Sequence, residues 1–147
     1  MEIAILALGC FWGPEIKFSK LDGIIKTEVG YCGGNTSETT YKEVCTGTTN
    51  HAEVVKLDFD PKIISYEEIL KFFFKIHDPT TLNSQGPDFG TQYRSEIFYF
   101  NDQQKEISEK IIKEENIKFS GKIVTKVSLV KNYCPAEEYH QKYLEKR

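Results

Sequence analysis

The sequence predicts an α+β fold, a two-layer α/β sandwich in which helices pack on a mixed sheet, and three observations point to it. The run Glu2–Leu8 is almost unbroken in apolar residues, as suits a strand buried on both faces at the centre of a sheet. Val55, Leu57 and Phe59 alternate with Val54, Lys56 and Asp58, the period of a strand with one buried face. Strand and helix signals then alternate along 147 residues without repeat, low-complexity tract or linker, so the expectation is one catalytic domain over 1–147.

Each element has a local reason. Gly9 ends the first strand, and Gly13-Pro14 opens a helix to about Leu21, because proline's fixed φ and missing N–H suit a first helical turn. Asp22-Gly23 turns the chain into a strand over Ile24–Tyr31, which runs into the loop Gly33-Gly34-Asn35. Ser65 and Glu68 have capping-box spacing and Ile64 can staple to Ile69, which predicts a helix from Tyr66 to about Ile76 with Ile69, Leu70, Phe72, Phe73 and Ile76 toward the sheet. Between His77 and Tyr93 the breakers Asp78-Pro79, Gly86-Pro87 and Gly90 predict an irregular loop, the kind that carries function. A strand at Ile97–Phe100, a helix over Gln103–Glu115, a strand marked by Ile123, Val127 and Leu129, and a helix over Ala136–Lys146 complete the order.

Composition excludes several classes of function. Acidic and basic residues are interspersed and the net charge is -3, so no basic stripe exists to track phosphates and nucleic acid is not an expected partner. Apolar runs fall short of the roughly 18 residues that span a bilayer, and the N-terminus lacks a basic leader; the expectation is a cytoplasmic monomer with no membrane partner. Four cysteines, Cys10, Cys32, Cys45 and Cys134, should rest as thiols in that compartment. No C-x-x-C pair exists and Cys45 with His51 has the wrong spacing for a zinc knuckle, so no metal is expected.

Chemistry concentrates at Gly9-Cys10-Phe11-Trp12-Gly13. Cys10 falls between the end of a core strand and the start of a helix, where unpaired N–H groups and the helix dipole favour a thiolate. Phe11 and the only tryptophan, Trp12, can wall an apolar pocket beside it. Position alone leaves two readings open, a packed cysteine or a nucleophile, and the flanking glycines favour the second because they allow close approach to the backbone.

This stretch resembles the signature of the A-class peptide methionine sulfoxide reductases. Further blocks are similar in register: Gly30-Tyr31-Cys32-Gly33-Gly34, Tyr41-Lys42-Glu43-Val44-Cys45, Asn50-His51-Ala52-Glu53, His77-Asp78-Pro79-Thr80, Asp88-Phe89-Gly90-Thr91-Gln92-Tyr93-Arg94-Ser95 and Ala136-Glu137-Glu138-Tyr139-His140-Gln141. The resemblance implies a ferredoxin-like roll that reduces the S epimer of methionine sulfoxide, in oxidised proteins and as the free amino acid. It implies that Cys10 attacks the sulfoxide sulfur, Glu43 protonates its oxygen, and Tyr31 and Tyr93 hydrogen-bond that oxygen. Phe11 and Trp12 would hold the substrate methyl group and Asp88 would organise the site, while His51, His77 and His140 serve structural hydrogen bonds. The residue types suit these tasks, since a sulfoxide oxygen leaves only when protonated and a tyrosine hydroxyl donates without carrying charge.

The first half-reaction would leave Cys10 as a sulfenic acid. Many relatives place recycling cysteines in a glycine-rich C-terminal tail, whereas this sequence ends at Arg147. Cys32 and Cys134 are the candidate resolving thiols and Cys45 is expected to be buried, with direct attack by an external thiol the favoured route. Thioredoxin, or glutaredoxin with glutathione, would then be the reductant, and no cofactor need be bound. Some relatives carry selenocysteine where Cys10 stands. Two rivals remain: a thiol peroxidase built on the same cysteine, and a non-catalytic aromatic cage of Phe11, Trp12, Tyr31 and Tyr93 that binds peptide.

Overall fold

A computed structural model describes residues 1–146. In chain order the elements are β1 (Glu2–Leu8), α1 (Trp12–Ser19), β2 (Ile24–Cys32), α2 (Tyr41–Cys45), β3 (Ala52–Phe59), α3 (Tyr66–Lys75), β4 (Ser84–Gln85), β5 (Asp88–Phe89), a 3-10 turn at Thr91–Tyr93, β6 (Ser95–Tyr99), α4 (Asp102–Lys118), β7 (Lys126–Leu129), β8 (Cys134–Pro135) and a 3-10 turn at Glu138–His140. The main sheet has six strands in the order β7-β6-β1-β3-β2-β8. Its neighbours are antiparallel except β6 and β7, which run parallel, so the sheet is mixed and the α+β class holds. No helix among the described residues is long and apolar enough to cross a membrane.

β1 is central because both of its edges are paired, Ile5 lying opposite Lys56 on β3 and Phe98 on β6. Its alternation divides the core in two. Ala4, Leu6 and Leu8 face the helices and join Phe18, Ile69, Leu70, Phe73 and Ile111, whereas Ile5 and Ala7 face the other way with Cys32, Ala52, Val54 and Phe98. The alternation over Val54–Phe59 predicts one buried face; the first half of β3 buries both, since Val54 is as inaccessible as Val55. Ser65 and Glu68 form the capping box on α3, and the stapling pair Ile64 and Ile69 is buried.

Two expectations at the C-terminal side of the sequence need correction. The loop over 77–93 contains a short hairpin, β4 with β5, and β8 adds a further edge strand to β2. The helix expected over 136–146 is absent, and only the turn at Glu138–His140 forms. Long-range partners explain this. The Gln141 side chain bonds both the N–H and the C=O of Val29, the buried carboxylate of Glu15 takes the N–H of Lys142 at 2.7 Å, and Lys142 sits at φ 52°, which no helix accepts. Tertiary hydrogen bonds have overridden helical propensity, and the segment lies as a strap beside α1.

Candidate active site

Two structural junctions meet near the end of β1. The chain leaves the strand through Gly9 at φ +98°, a conformation that spares any side chain from the left-handed region, and an added Cβ would press on Gln85. α1 begins three residues later, at Trp12, with no side-chain cap, and the Trp12 N–H hydrogen-bonds the Cys10 thiol. The half-buried thiol is nevertheless pushed up to about 11, first by desolvation and then by the nearby carboxyls of Glu53 and Asp88, against the pull of that N–H. Cys10 therefore rests protonated, contrary to the thiolate expected from its place before a helix.

The carboxyl beside this thiol is Glu53. It lies on β3 two residues before Val55 and four before Leu57, so period two turns it toward the helix-covered face. Only 1% of it is exposed; Oε1 accepts the Phe11 N–H at 3.3 Å, and Oε2 is buried without a partner. Burial pushes its carboxyl up to about 8, with a smaller contribution from Asp88 and an opposing one from the Phe11 N–H. Such a group holds its proton at neutral pH.

Glu43, the acid expected from the sequence, is elsewhere. It occupies the third helical position of α2, where its N–H bonds the Thr40 hydroxyl and its exposed carboxylate receives that hydroxyl at 3.1 Å. Its task is helix capping. Tyr31 also senses Glu53, but its hydroxyl is engaged elsewhere. Its ring is fully buried against Phe11, and its hydroxyl donates to Glu137 at 2.8 Å. Glu137 uses its other oxygen to accept the N–H of Tyr41, so Tyr31 and Glu137 together seat α2.

The hydroxyl that joins Tyr93 is that of Tyr41. The two lie within hydrogen-bonding reach, and both sense the charge of Glu53. Burial raises both, Tyr93 to about 12, so each remains a donor at neutral pH. Asp88, on β5, stands close enough to act on Cys10, Glu53 and Tyr93.

Aromatic rings wall the site. Phe11 is buried; Trp12 is half-buried, stacked on Tyr143 at 3.9 Å between ring centres, and its indole N–H donates to His140 Nδ1 at 3.0 Å. His140 lies within about 5 Å of the rings of Phe11, Tyr41 and Tyr139. Gly34 follows from packing too, since a Cβ there would collide with the buried His51 ring.

The cysteines separate by sheet face. Cys32 is fully buried on the face away from the helices, and Cys134 stands on the edge strand opposite Tyr31. Cys45, expected to be buried, is exposed at the end of α2.

A family profile described as peptide methionine sulfoxide reductase matches residues 2–147. The chain belongs to this family. It is 80% identical to the peptide methionine sulfoxide reductase MsrA of Pelagibacter ubique over the full length of both. Among solved structures it superposes on reduced Mxr1 from Saccharomyces cerevisiae with a TM-score of 0.96 at 45% identity, covering 99% of this chain and 85% of that one. It also matches Mxr1 in complex with Trx2, with a TM-score of 0.70 at 31% identity over 97% of this chain and 84% of that one. The protein is thus an oxidoreductase that reduces peptide methionine sulfoxide.

Sequence reasoning gave no role to Glu53 or Tyr41, which the structure places beside Cys10 and Tyr93 although both stand in the blocks it singled out. A signal existed for each. The alternation of Val55, Leu57 and Phe59, carried two residues back, puts Glu53 on the buried face, while Thr40-x-x-Glu43 has the spacing of an exposed cap.

Proposed function

We propose that this reductase acts on the S epimer of methionine sulfoxide, in proteins and as the free amino acid, with Cys10 as nucleophile and Glu53 as proton donor. Cys10 attacks the sulfoxide sulfur while Glu53 protonates the oxygen, and the thiol proton returns to the carboxylate left behind. Oxygen ends on Cys10: one thiol and one sulfoxide enter, one sulfenic acid and one thioether leave. Tyr41 and Tyr93 donate hydrogen bonds to the sulfoxide oxygen, Phe11 and Trp12 receive the methyl group, and Asp88 helps keep Glu53 protonated.

The observation that carries this reading is a nearly inaccessible carboxyl, pushed up to about 8, with one oxygen free and the other on the N–H next to Cys10. Its neutrality also matters to the nucleophile. An ionised Glu53 would oppose a thiolate at Cys10, whereas a protonated one leaves the Trp12 N–H to favour it. A peroxidase needs a standing thiolate, and the raised Cys10 thiol speaks against that rival.

Recycling of the sulfenic acid draws on thioredoxin, a role supported by the complex of the yeast relative with Trx2, with glutaredoxin and glutathione as the other thiol source. Four unpaired cysteines suit a reducing cytoplasm. The test is Glu53→Gln in single turnover with excess methionine sulfoxide. The rate of methionine release is expected to fall by about 100-fold or more with little change in substrate affinity, and an unchanged rate would remove Glu53 as the acid.

A further inference from the structure

A sulfenic acid at Cys10, which rests on the reading above, needs a second sulfur to remove its oxygen, and the remaining thiols are placed very differently. Cys32 points away from the site, buried on the opposite face of the sheet and bonded to the Lys131 carbonyl at 3.3 Å. Cys134 is turned to the carbonyls of Thr39 and Pro135. Cys45 alone shares neighbours with the site: its thiol is within hydrogen-bonding reach of the Tyr41 hydroxyl, and it acts electrostatically on Tyr93 and senses Glu53. It is also exposed, the last residue of a five-residue helix. The segment that follows is lightly held, since Thr46, Gly47 and Thr48 are exposed and their hydrogen bonds are local, although Val44 just before it is buried in the core.

We propose that Cys45 resolves the Cys10 sulfenic acid by forming a Cys10–Cys45 disulfide, which an external dithiol then reopens at the exposed Cys45 sulfur. In the resolving step the Cys45 sulfur attacks the Cys10 sulfur, an S–S bond forms and the S–O bond breaks. The oxygen leaves as water, carrying the sulfenic hydrogen and the proton lost by Cys45. Tyr41, already within reach of Cys45, stabilises the attacking thiolate, and Glu53 relays the proton toward the departing oxygen. The dithiol next exchanges with the disulfide and leaves oxidised, restoring both thiols. α2 must swing toward Cys10 for the sulfurs to meet, which breaks the Tyr41–Glu137 hydrogen bond, the packing of the Tyr41 ring on His140 and the seat of Val44 in the core.

The experiment treats the full chain with one equivalent of methionine sulfoxide without reductant, blocks free thiols, and maps non-reduced peptides by mass spectrometry. The wild type is expected to release one methionine, lose two free thiols and yield the Cys10–Cys45 cross-linked peptide. Cys45→Ser is expected to accumulate a Cys10 sulfenic acid that dimedone traps, with thioredoxin-supported turnover lowered by about tenfold or more; Cys32→Ser and Cys134→Ser should still form the cross-link. Release of methionine with no Cys10–Cys45 peptide, or with Cys45→Ser turnover unchanged, overturns the proposal and leaves the reductase mechanism standing. Failure to release methionine overturns both.

Discussion

Two neighbouring stretches of the chain, 40–45 and 52–59, each place a glutamate in a matched block, and the fates of Glu43 and Glu53 are opposite. Glu43 sits one turn into a short helix, where it completes a cap and stays in water. Glu53 sits on a central strand, where pleating turns it inward and the core pushes its carboxyl up to about 8. The same side chain is a solvated cap partner in one setting and a stored proton in the other. Backbone period, far more than residue type or motif membership, decides which glutamate can act as an acid.

The contrast is broken most sharply by paired substitutions. Glu53→Gln is expected to lower kcat by about 100-fold or more, while Glu43→Gln changes it by no more than about twofold, both measured with dithiothreitol as reductant. Equal losses would erase the distinction. A smaller separation is expected between the tyrosines: Tyr41→Phe should cost about tenfold in kcat, and Tyr31→Phe should leave kcat nearly intact while removing about 1 kcal/mol of stability through its bond to Glu137.

Stability should move in the reverse sense. The folded-state value of Glu53 lies above its unfolded one, so the stabilisation from its proton is complete below the unfolded value and is lost as pH rises through about 8. Glutamine cannot ionise, so Glu53→Gln should be more stable than wild type by about 2 kcal/mol at neutral pH, with the gain vanishing in acid. Denaturant titrations at two pH values read this directly; a destabilised variant at neutral pH would contradict it. The smallest expected effect belongs to the cap, where Thr40→Ala should cost about 1 kcal/mol without a change in pH dependence.

The same contrast explains what the sequence made legible. Local signals survived folding: the capping box of α3, the breakers around Gly9 and Gly13 and the apolar run of β1 all stand where short-range chemistry puts them. The structure brings together residues singled out from separate blocks, with Phe11 and Trp12 following Cys10 and with Asp88 near both Cys10 and Tyr93. Features decided across the chain were not. Residues 136–146 carry helix-forming residues, yet Val29 and Glu15, more than 100 positions away, hold the strap in another shape. The charge state of Cys10 was misjudged for the same reason, because Glu53 and Asp88 arrive from distant strands and burial outweighs the helix end. Tyr31 and Tyr41 could not be told apart without knowing that Glu137 would return to occupy the first.

The account depends on Glu53 being uncharged beside Cys10, and a titration of its side-chain carboxyl tests that most directly. Carbon NMR of protein labelled at glutamate, assigned by loss of one signal in Glu53→Gln, follows that carboxyl as pH rises. A midpoint near 8, matched by the alkaline fall of kcat, is the expected result. A carboxyl that titrates in the ordinary acidic range with the other glutamates would contradict it, since Glu53 would then meet the sulfoxide oxygen with no proton to give.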